Sequence, residues 1–468
     1  SSLCGLAADN LPIRVTNRRV SGRKGHMLRS LLDIFDMSEE ETAYKSAGTK
    51  MTLPGEIADP AGCDSTGSTP VGKSLTTKST ASTAYGGLDS FDDCEVGLTG
   101  ELNEQLSFSH RTDDAKNPHL GEWVFDAYFF DRLTSGHALL QAGTHHGRTL
   151  LQEVGIVGTE SRQEKALNVF LTGIEKRYRP VPYHNAVHAA DVLNSMMFFI
   201  RQHAQTNLLR PFTAVHKFAA YVASVIHDVG HFGVNNRFHV MQHHAIAVLY
   251  NDSSPLENMH CAIGFLILRQ PAAASFLQRP REEAPEVTAG DATTNSAYLT
   301  DEQFTDFRRV VVEAVLTTDM AKHFEATSRF RASIGYDEAT GAACPSAAIH
   351  DEPDIEHAAK AVGILLKAAD LGHSAKPLAI TREQTRRIHQ EFFGQGDKER
   401  QLGLPISPLC DRESTNMPKS QVSFLQHLVL PFYKVVHAYL PADLVRDNCI
   451  HQLKVNMEWW QGLADANS

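Results

Sequence analysis

The sequence predicts an all-α protein: a compact multi-helix domain, divided into helical subdomains, behind a polar leader. Three observations predict it. Apolar residues recur at helical spacing from Gly121 almost to the C-terminus. Period-two alternation of the strand type is scarce. Residues 1 to about 118 differ in composition from everything after them.

The leader comes first. Ala58 to Gly87 is rich in Ser, Thr, Gly and Ala and holds few large apolar residues. Such a segment cannot bury enough surface to offset its ordering entropy, so residues 1–118 read as a low-complexity, largely disordered leader. Within it, Met27 to Met37 is a short amphipathic patch, readable as a docking helix or as the remnant of an upstream one. The chain opens at Ser1 and its first methionine is Met27, which reads as a fragment of a longer protein.

From residue 119 a single domain is expected to run to residue 468. Trp123, Phe125, Phe129 and Phe130 recur at helix-like intervals, as do Leu167, Phe170, Leu171 and Ile174. Further helical runs are expected at about 186–203, 213–226, 240–252, 256–269, 301–319, 354–370, 378–393, 419–439 and 442–463. Arg279 to Ala297, Ser333 to Glu352 and Gly394 to Lys419 are polar and carry Gly, Pro or Ser. Apolar helices flank each, so they read as surface loops within the domain. A domain this large favours helical subdomains.

Composition narrows the class. The net charge of -11 argues against general attraction to nucleic acid, and an anionic substrate would need a local cation. No apolar run approaches the roughly 18 residues of a membrane-spanning helix. No signal peptide is visible. Seven scattered cysteines without a C-x-x-C pair fit a reducing compartment, so a cytosolic or cytosol-facing location is expected. The apolar C-terminal helices could equally support a homodimer or pack in the core.

Three places carry chemistry. In Tyr183-His184-Asn185-Ala186-Val187-His188-Ala189-Ala190-Asp191, helical spacing would put His184, His188 and Asp191 on nearly one face, with Pro182 suiting a helix start. His227 and Asp228 end an apolar run, where burying an imidazole and a carboxylate is costly unless they are paired or metal-bound. His231 follows one turn later, and Gly230 and Gly233 loosen the backbone. Asp370 ends another apolar run and by itself would read as a cap. Together, His188, His227, Asp228 and Asp370 are a two-histidine, two-carboxylate group of the ligand types zinc accepts. Asp228 could bridge to a harder second ion such as Mg²⁺ or Mn²⁺.

These residues, in this order, resemble the signature of class I cyclic nucleotide phosphodiesterases of the HD type. The resemblance extends to Asn236, to Tyr250-Asn251-Asp252, to Leu256-Glu257-Asn258-x-His260 and to Thr318-Asp319-Met320-x-Lys322-His323. It continues in Glu391-Phe392-Phe393-x-Gln395-Gly396-Asp397 and Ser420-Gln421-Val422-x-Phe424, and covers about residues 120 to 463. Gly230, Phe232 and His373 depart from common family forms, which carry an acid, a proline and an asparagine there.

The resemblance implies hydrolysis of the 3′,5′-cyclic phosphodiester of cAMP, with cGMP as an additional substrate, by hydroxide activated between two metal ions. It implies His184 as general acid. It implies His188, His227, Asp228 and Asp370 as ligands, with Zn²⁺ first and Mg²⁺ (or Mn²⁺) second. It gives His231, Glu257 and His260 a supporting role around bound waters or His184. Tyr183, Gln421, Phe424, Ile388, His373 and Met320 are the implied substrate-binding residues. Gln421 would read the purine through an amide that both donates and accepts, and Phe424 and Ile388 would clamp the base. A missing upstream region could carry a lipid-binding, membrane or cyclic-nucleotide-sensing module.

Three other readings make different predictions. A wider HD-domain hydrolase acting on other nucleotides would lack a counterpart of the Gln421 block. A signalling adaptor on an inactive fold would have lost a ligand or His184. A plain helical scaffold with satisfied histidines would bind no metal.

Overall fold

A computed structural model describes residues 119–153, 162–206, 212–274, 276–277, 299–344 and 355–466. The leader over 1–118 and the loop from Arg279 to Ala297 lie outside the described residues, as do residues 345–354 of the third expected loop. The described chain is helical, and an isolated antiparallel bridge between Asp337 and Ala342 is the sole extended pairing among the described residues.

The helices follow in chain order. They are α1 (Ala127–Leu133), α2 (Ala138–Glu153), α3 (Arg162–Glu175), α4 (Ala186–Gln205) and α5 (Ala214–Ile226). Next come α6 (Asn236–Met241), α7 (Ala245–Leu249), α8 (Pro255–Leu268), α9 (Asp301–Thr317) and α10 (His323–Ser333). The last are α11 (Ile355–Asp370), α12 (Leu378–Gln401), α13 (Met417–Phe424), α14 (Leu430–Tyr439) and α15 (Gln452–Ala466). Trp123 and Phe125 are core residues, but they lie in the turn before α1 rather than on a helix.

The core is built around α5. Every residue from Val215 to Ile226 except Lys217 is buried, so this helix is apolar all round. It packs on α2, α4, α9 and α11. Each Phe, Val or Ile fully buried in this way contributes about 1.5–3 kcal/mol. Thr213 starts α5 with a capping box, its hydroxyl accepting from His216 N–H while the His216 ring accepts from Thr213 N–H. The ends of α4, α5 and α11 meet, and this meeting point positions the site.

Several expected boundaries change. The expected helix over 240–252 is two short helices with a turn between them. His243 takes a left-handed φ of 48°, and the His244 side chain caps α7 by accepting from Ile246 N–H. Helix α10 was not anticipated. The expected loop from Gly394 begins eight residues too early, because α12 continues to Gln401. Two glycines suggested a break there. Gly396 instead serves close packing: a Cβ on it would lie 1.9 Å from the Cys410 carbonyl oxygen. The expected helix over 419–439 is interrupted by a wide π turn at Leu425–Val429. Pro431 follows within that run, and it has no N–H to continue the α-helical ladder. A second π turn at Arg446–His451 precedes α15.

Candidate active site

His184 does not lie on α4. The helix begins at Ala186, and Asn185 caps it by accepting from Val187 and His188 N–H at 2.9 and 3.3 Å. The Asn185 amide also donates to the Val181 carbonyl at 2.9 Å, which closes the turn that Pro182 was expected to begin as helix. His184 is therefore presented from a tight loop, while His188 points from the first turn of α4. Asp191 does not share their site. It is buried against Lys376 Nζ at 2.9 Å and also accepts from the Gln384 amide at 3.1 Å.

The four predicted ligands converge. His188 Nε2 lies 3.1 Å from Asp370 Oδ1, 3.3 Å from His227 Nε2 and 3.4 Å from Asp228 Oδ2. His227 Nε2 is 3.2 Å from Asp228 Oδ2 and 3.6 Å from Asp370 Oδ1. His227 Nδ1 donates to the Ser224 carbonyl at 2.9 Å, which leaves its Nε2 lone pair facing the group. Two ring nitrogens and two carboxylate oxygens thus crowd one point, with all four ligand atoms within 4.8 Å of one another. That donor set fits a divalent metal of the zinc type. Asp370 makes no cap hydrogen bond to the turn after it, so the capping alternative does not hold.

The electrostatics agree. Burial opposes the charged forms of Asp228 and Asp370, yet the neighbouring imidazoles hold both carboxyls well below the usual range. Burial likewise opposes protonation of His227, and the charge of Asp228 overcomes it. Asp228 keeps its other oxygen, Oδ1, 3.6 Å from His260 Nε2, while His260 Nδ1 bonds the Val229 carbonyl at 2.7 Å. The turn carrying His227 to Gly233 needs glycine: Gly230 has a φ of 82°, and a Cβ there would meet Ile263 at 2.8 Å.

A second group stands beside the first. Glu391, reaching in from α12, accepts from the backbone N–H of Tyr183 at 3.0 Å and of His184 at 3.2 Å. Its other oxygen takes a short hydrogen bond from His184 Nδ1. Burial disfavours charge on His184, but the Glu391 carboxylate, with Asp228 and Asp370 behind it, raises its pKa to about 9. Burial also opposes the Glu391 carboxylate, yet His184 brings it down to about 2. His231 stacks near His184, with ring centroids 4.2 Å apart, and its Nδ1 accepts from Gly233 N–H at 3.0 Å. Burial and the His184 charge keep His231 neutral, with its pKa at about 3. Sequence reasoning placed Glu391 in a matching block without giving it a part. Its neighbours on that face of α12, Gln384, Arg387, Ile388 and Gln395, are mostly polar, so no local pattern marked it.

The supporting residues fall around this centre. Glu257 accepts two hydrogen bonds from the Asn236 amide, at 2.9 and 3.2 Å. Burial, reinforced by Asp319, lifts its carboxyl to about 7. Asp319 accepts from Ser254 Oγ at 2.7 Å. The Tyr183 hydroxyl lies 2.9 Å from His373 Nδ1. Ile388 is half-buried on α12, one turn before Glu391, and Met320 is 42% exposed on the 3₁₀ turn after α9. Gln421 and Phe424 share one face of α13. Gln421 is buried, yet among the described residues nothing hydrogen-bonds its side-chain amide. The hydrogen bonds that knit the centre together reach Tyr183 and His373, and none extends to Gln421.

Fold and site define an all-α protein of the HD type, built around a two-histidine, two-aspartate centre. Residues 183–447 match the family model described as 3′5′-cyclic nucleotide phosphodiesterase, and the chain belongs to that family. It is 32% identical over 345 residues to the Caenorhabditis elegans protein named probable 3′,5′-cyclic-AMP phosphodiesterase pde-4, covering 73% of this chain and 46% of that protein. It is 31% identical over 320 residues to the dual specificity calcium/calmodulin-dependent 3′,5′-cyclic nucleotide phosphodiesterase 1B of Bos taurus, covering 67% of this chain and 51% of that one. The chain thus spans about half the length of these relatives. Its fold matches the phosphodiesterase domain of the RhoPDE fusion protein from the choanoflagellate Salpingoeca rosetta, with a TM-score of 0.59 at 23% identity over 76% of this chain and 98% of that one.

Proposed function

We propose that residues 119–468 form a catalytic domain that hydrolyses the 3′,5′-cyclic phosphodiester of cAMP, and also of cGMP, to the 5′-nucleotide. The observation that carries this is the pairing of two groups. The convergent His188, His227, Asp228 and Asp370 lie beside a separately held imidazole, His184, with its own carboxylate.

His188, His227, Asp228 and Asp370 would hold Zn²⁺, and Asp228 would share a second ion, Mg²⁺ or Mn²⁺. When bound, the two ions supply positive charge against the phosphate oxygens and make water a better nucleophile. The protein's own part is the proton. Glu391 occupies His184 Nδ1, so Nε2–H is the proton left to give. A water oxygen bonds to phosphorus, the P–O3′ bond breaks, and the departing O3′ takes the proton from His184. Glu391 keeps the ring charged and in one orientation. His231, Glu257 and His260 would orient waters around this exchange.

Gln421 would read the base. Its side-chain amide makes no hydrogen bond among the described residues and offers both a donor and an acceptor, which suits either purine according to rotamer. Phe424 and Ile388 would clamp the ring, Met320 would border the opening, and Tyr183 would line the phosphate side. His373, held by Tyr183, would stand at the base. The relatives named above, one for cyclic AMP and one of dual specificity, support a purine cyclic nucleotide as substrate. No helix among the described residues is long and apolar enough to cross a membrane. A homodimer through the C-terminal helices remains part of this reading.

The test is turnover of cAMP and cGMP by the purified chain, with and without Mg²⁺ after EDTA treatment. Metal-dependent release of 5′-AMP or 5′-GMP supports the reading, and the ratio of rates gives the base preference. A folded, metal-loaded protein that hydrolyses neither would favour another HD-type substrate.

A further inference from the structure

His184, His231 and Glu391 are a complete metal-ligand set in their own right. One ligand atom from each lies within 4.8 Å of the other two. His231 Nδ1 is 3.8 Å from Glu391 Oε1, and the two imidazole rings are 4.2 Å apart at 31°. Two imidazoles and a glutamate are the ligand types of catalytic zinc sites with an open position. His231 and Glu391 are buried and His184 is partly accessible, so an ion has both a low-dielectric floor and a way in. The group shares no residue with His188, His227, Asp228 and Asp370. Three carboxylates, Glu391, Asp228 and Asp370, make the potential at His184 negative, which favours any cation there.

We propose that this second triad is an inhibitory site for a surplus divalent transition metal, Zn²⁺ in the first instance, and that its filling switches the enzyme off. The inference rests on the catalytic reading of His184 given above. The exchange balances: the ion replaces the proton shared between His184 Nδ1 and Glu391, and that proton leaves to solvent. His231 releases the Gly233 N–H to give its Nδ1 lone pair. An imidazole that holds a metal through Nδ1 is neutral overall, and its remaining N–H is a far weaker acid than an imidazolium. His184 then has no proton fit for O3′. Productive loading and inhibition would therefore occur at adjacent sites as free Zn²⁺ rises. Mg²⁺ prefers oxygen ligands and would not compete for the triad.

The test counts metal before it measures rate. The intact chain is stripped by chelation, exposed to excess Zn²⁺, freed of unbound ion and analysed for zinc per chain. His231→Ala and Glu391→Gln are treated identically. Wild type should hold one more equivalent than either variant, and filling of that equivalent should lower turnover by about 10²-fold or more. Addition of Co²⁺ in place of Zn²⁺ should show one fewer set of d–d absorption bands in the variants. Glu391→Gln preserves size and keeps an acceptor oxygen for the Tyr183 and His184 amides, which covers the case in which His231→Ala fails to fold. Equal zinc counts in wild type and Glu391→Gln would overturn the proposal. So would an extra equivalent in wild type that leaves turnover unchanged. A protein inactive at every zinc level, with the one-equivalent difference intact, would count against the hydrolase reading and leave the metal site standing.

Discussion

A carboxylate with three hydrogen bonds fixes the chemistry at the residue scale. Glu391 holds the Tyr183 and His184 amides as well as the His184 ring, so it sets the position of the loop and the charge of the imidazole together. Glu391→Gln should therefore lower kcat much more than it changes KM, and it should leave the four-ligand centre loaded. An equal rise in KM with kcat unchanged would assign Glu391 to binding instead. The metal-free protein gives a pH signature. Folding raises the His184 pKa from 6.5 to about 9, so this pair stabilises fully below 6.5 and loses its effect as pH rises through 9. Folding lowers the Glu391 pKa from 4.5 to about 2, so the same pair is whole above 4.5 and lost as pH falls through 2. In EDTA, the stability difference between wild type and Glu391→Gln should be greatest between pH 4.5 and 6.5, as read by denaturant titration. A difference that keeps growing above pH 7 would contradict the pairing. His184→Ala should keep its metal and lose about 10²–10⁴-fold in turnover, while full activity would remove His184 from the proton step. The ligands were legible because each stands where an apolar run ends in a group too costly to bury unpaired. The part played by Glu391 was not, because its partners lie about two hundred residues away along the chain.

Helices set where those residues stand, and at this scale the sequence misled in a specific way. Gly394 and Gly396 look alike as punctuation, and both suggested that α12 ends before them. The structure separates them. A Cβ on Gly394 would meet nothing within 4 Å, whereas one on Gly396 would run into the Cys410 backbone. Gly394→Ala should thus raise stability by about 0.5–1 kcal/mol, the usual gain for a helical glycine. Gly396→Ala should cost about 1–3 kcal/mol, because backbone must move to admit the methyl group. Equal effects of the two changes in chemical denaturation would show that the approach of Cys410 to α12 is not required. The other differences have similar causes. The breaks at His243 and around Pro431 are local backbone events inside apolar runs, and hydrophobic periodicity alone does not register them. The long helices α4, α5, α8, α9 and α11 were legible because their apolar faces are broad and their ends are marked, as by the Thr300 capping box that opens α9.

At the scale of the whole molecule the metal centre is also a clasp. His188 belongs to the start of α4, His227 and Asp228 to the end of α5, and Asp370 to the end of α11. These segments are separated by long stretches of chain, and they pack on one another through the same apolar core. Without a cation, the point where they meet gathers two carboxylates and two imidazoles into one space, where burial opposes every charge and the imidazoles must supply the countercharge. An ion bound there stabilises the native state by mass action, by about 2.7 kcal/mol when its free concentration is a hundred times its dissociation constant. Chelation should consequently lower the melting temperature of the whole helical domain, and added Zn²⁺ should restore it. Asp370→Ala breaks the clasp at α11. It should lose metal and activity together and show no change in melting temperature on EDTA treatment. His184→Ala lies outside the clasp and should keep the shift that the four-ligand centre confers. If Asp370→Ala retained both its metal and that shift, Asp370 would not be a ligand, and the centre would have to be rebuilt from His188, His227 and Asp228 alone.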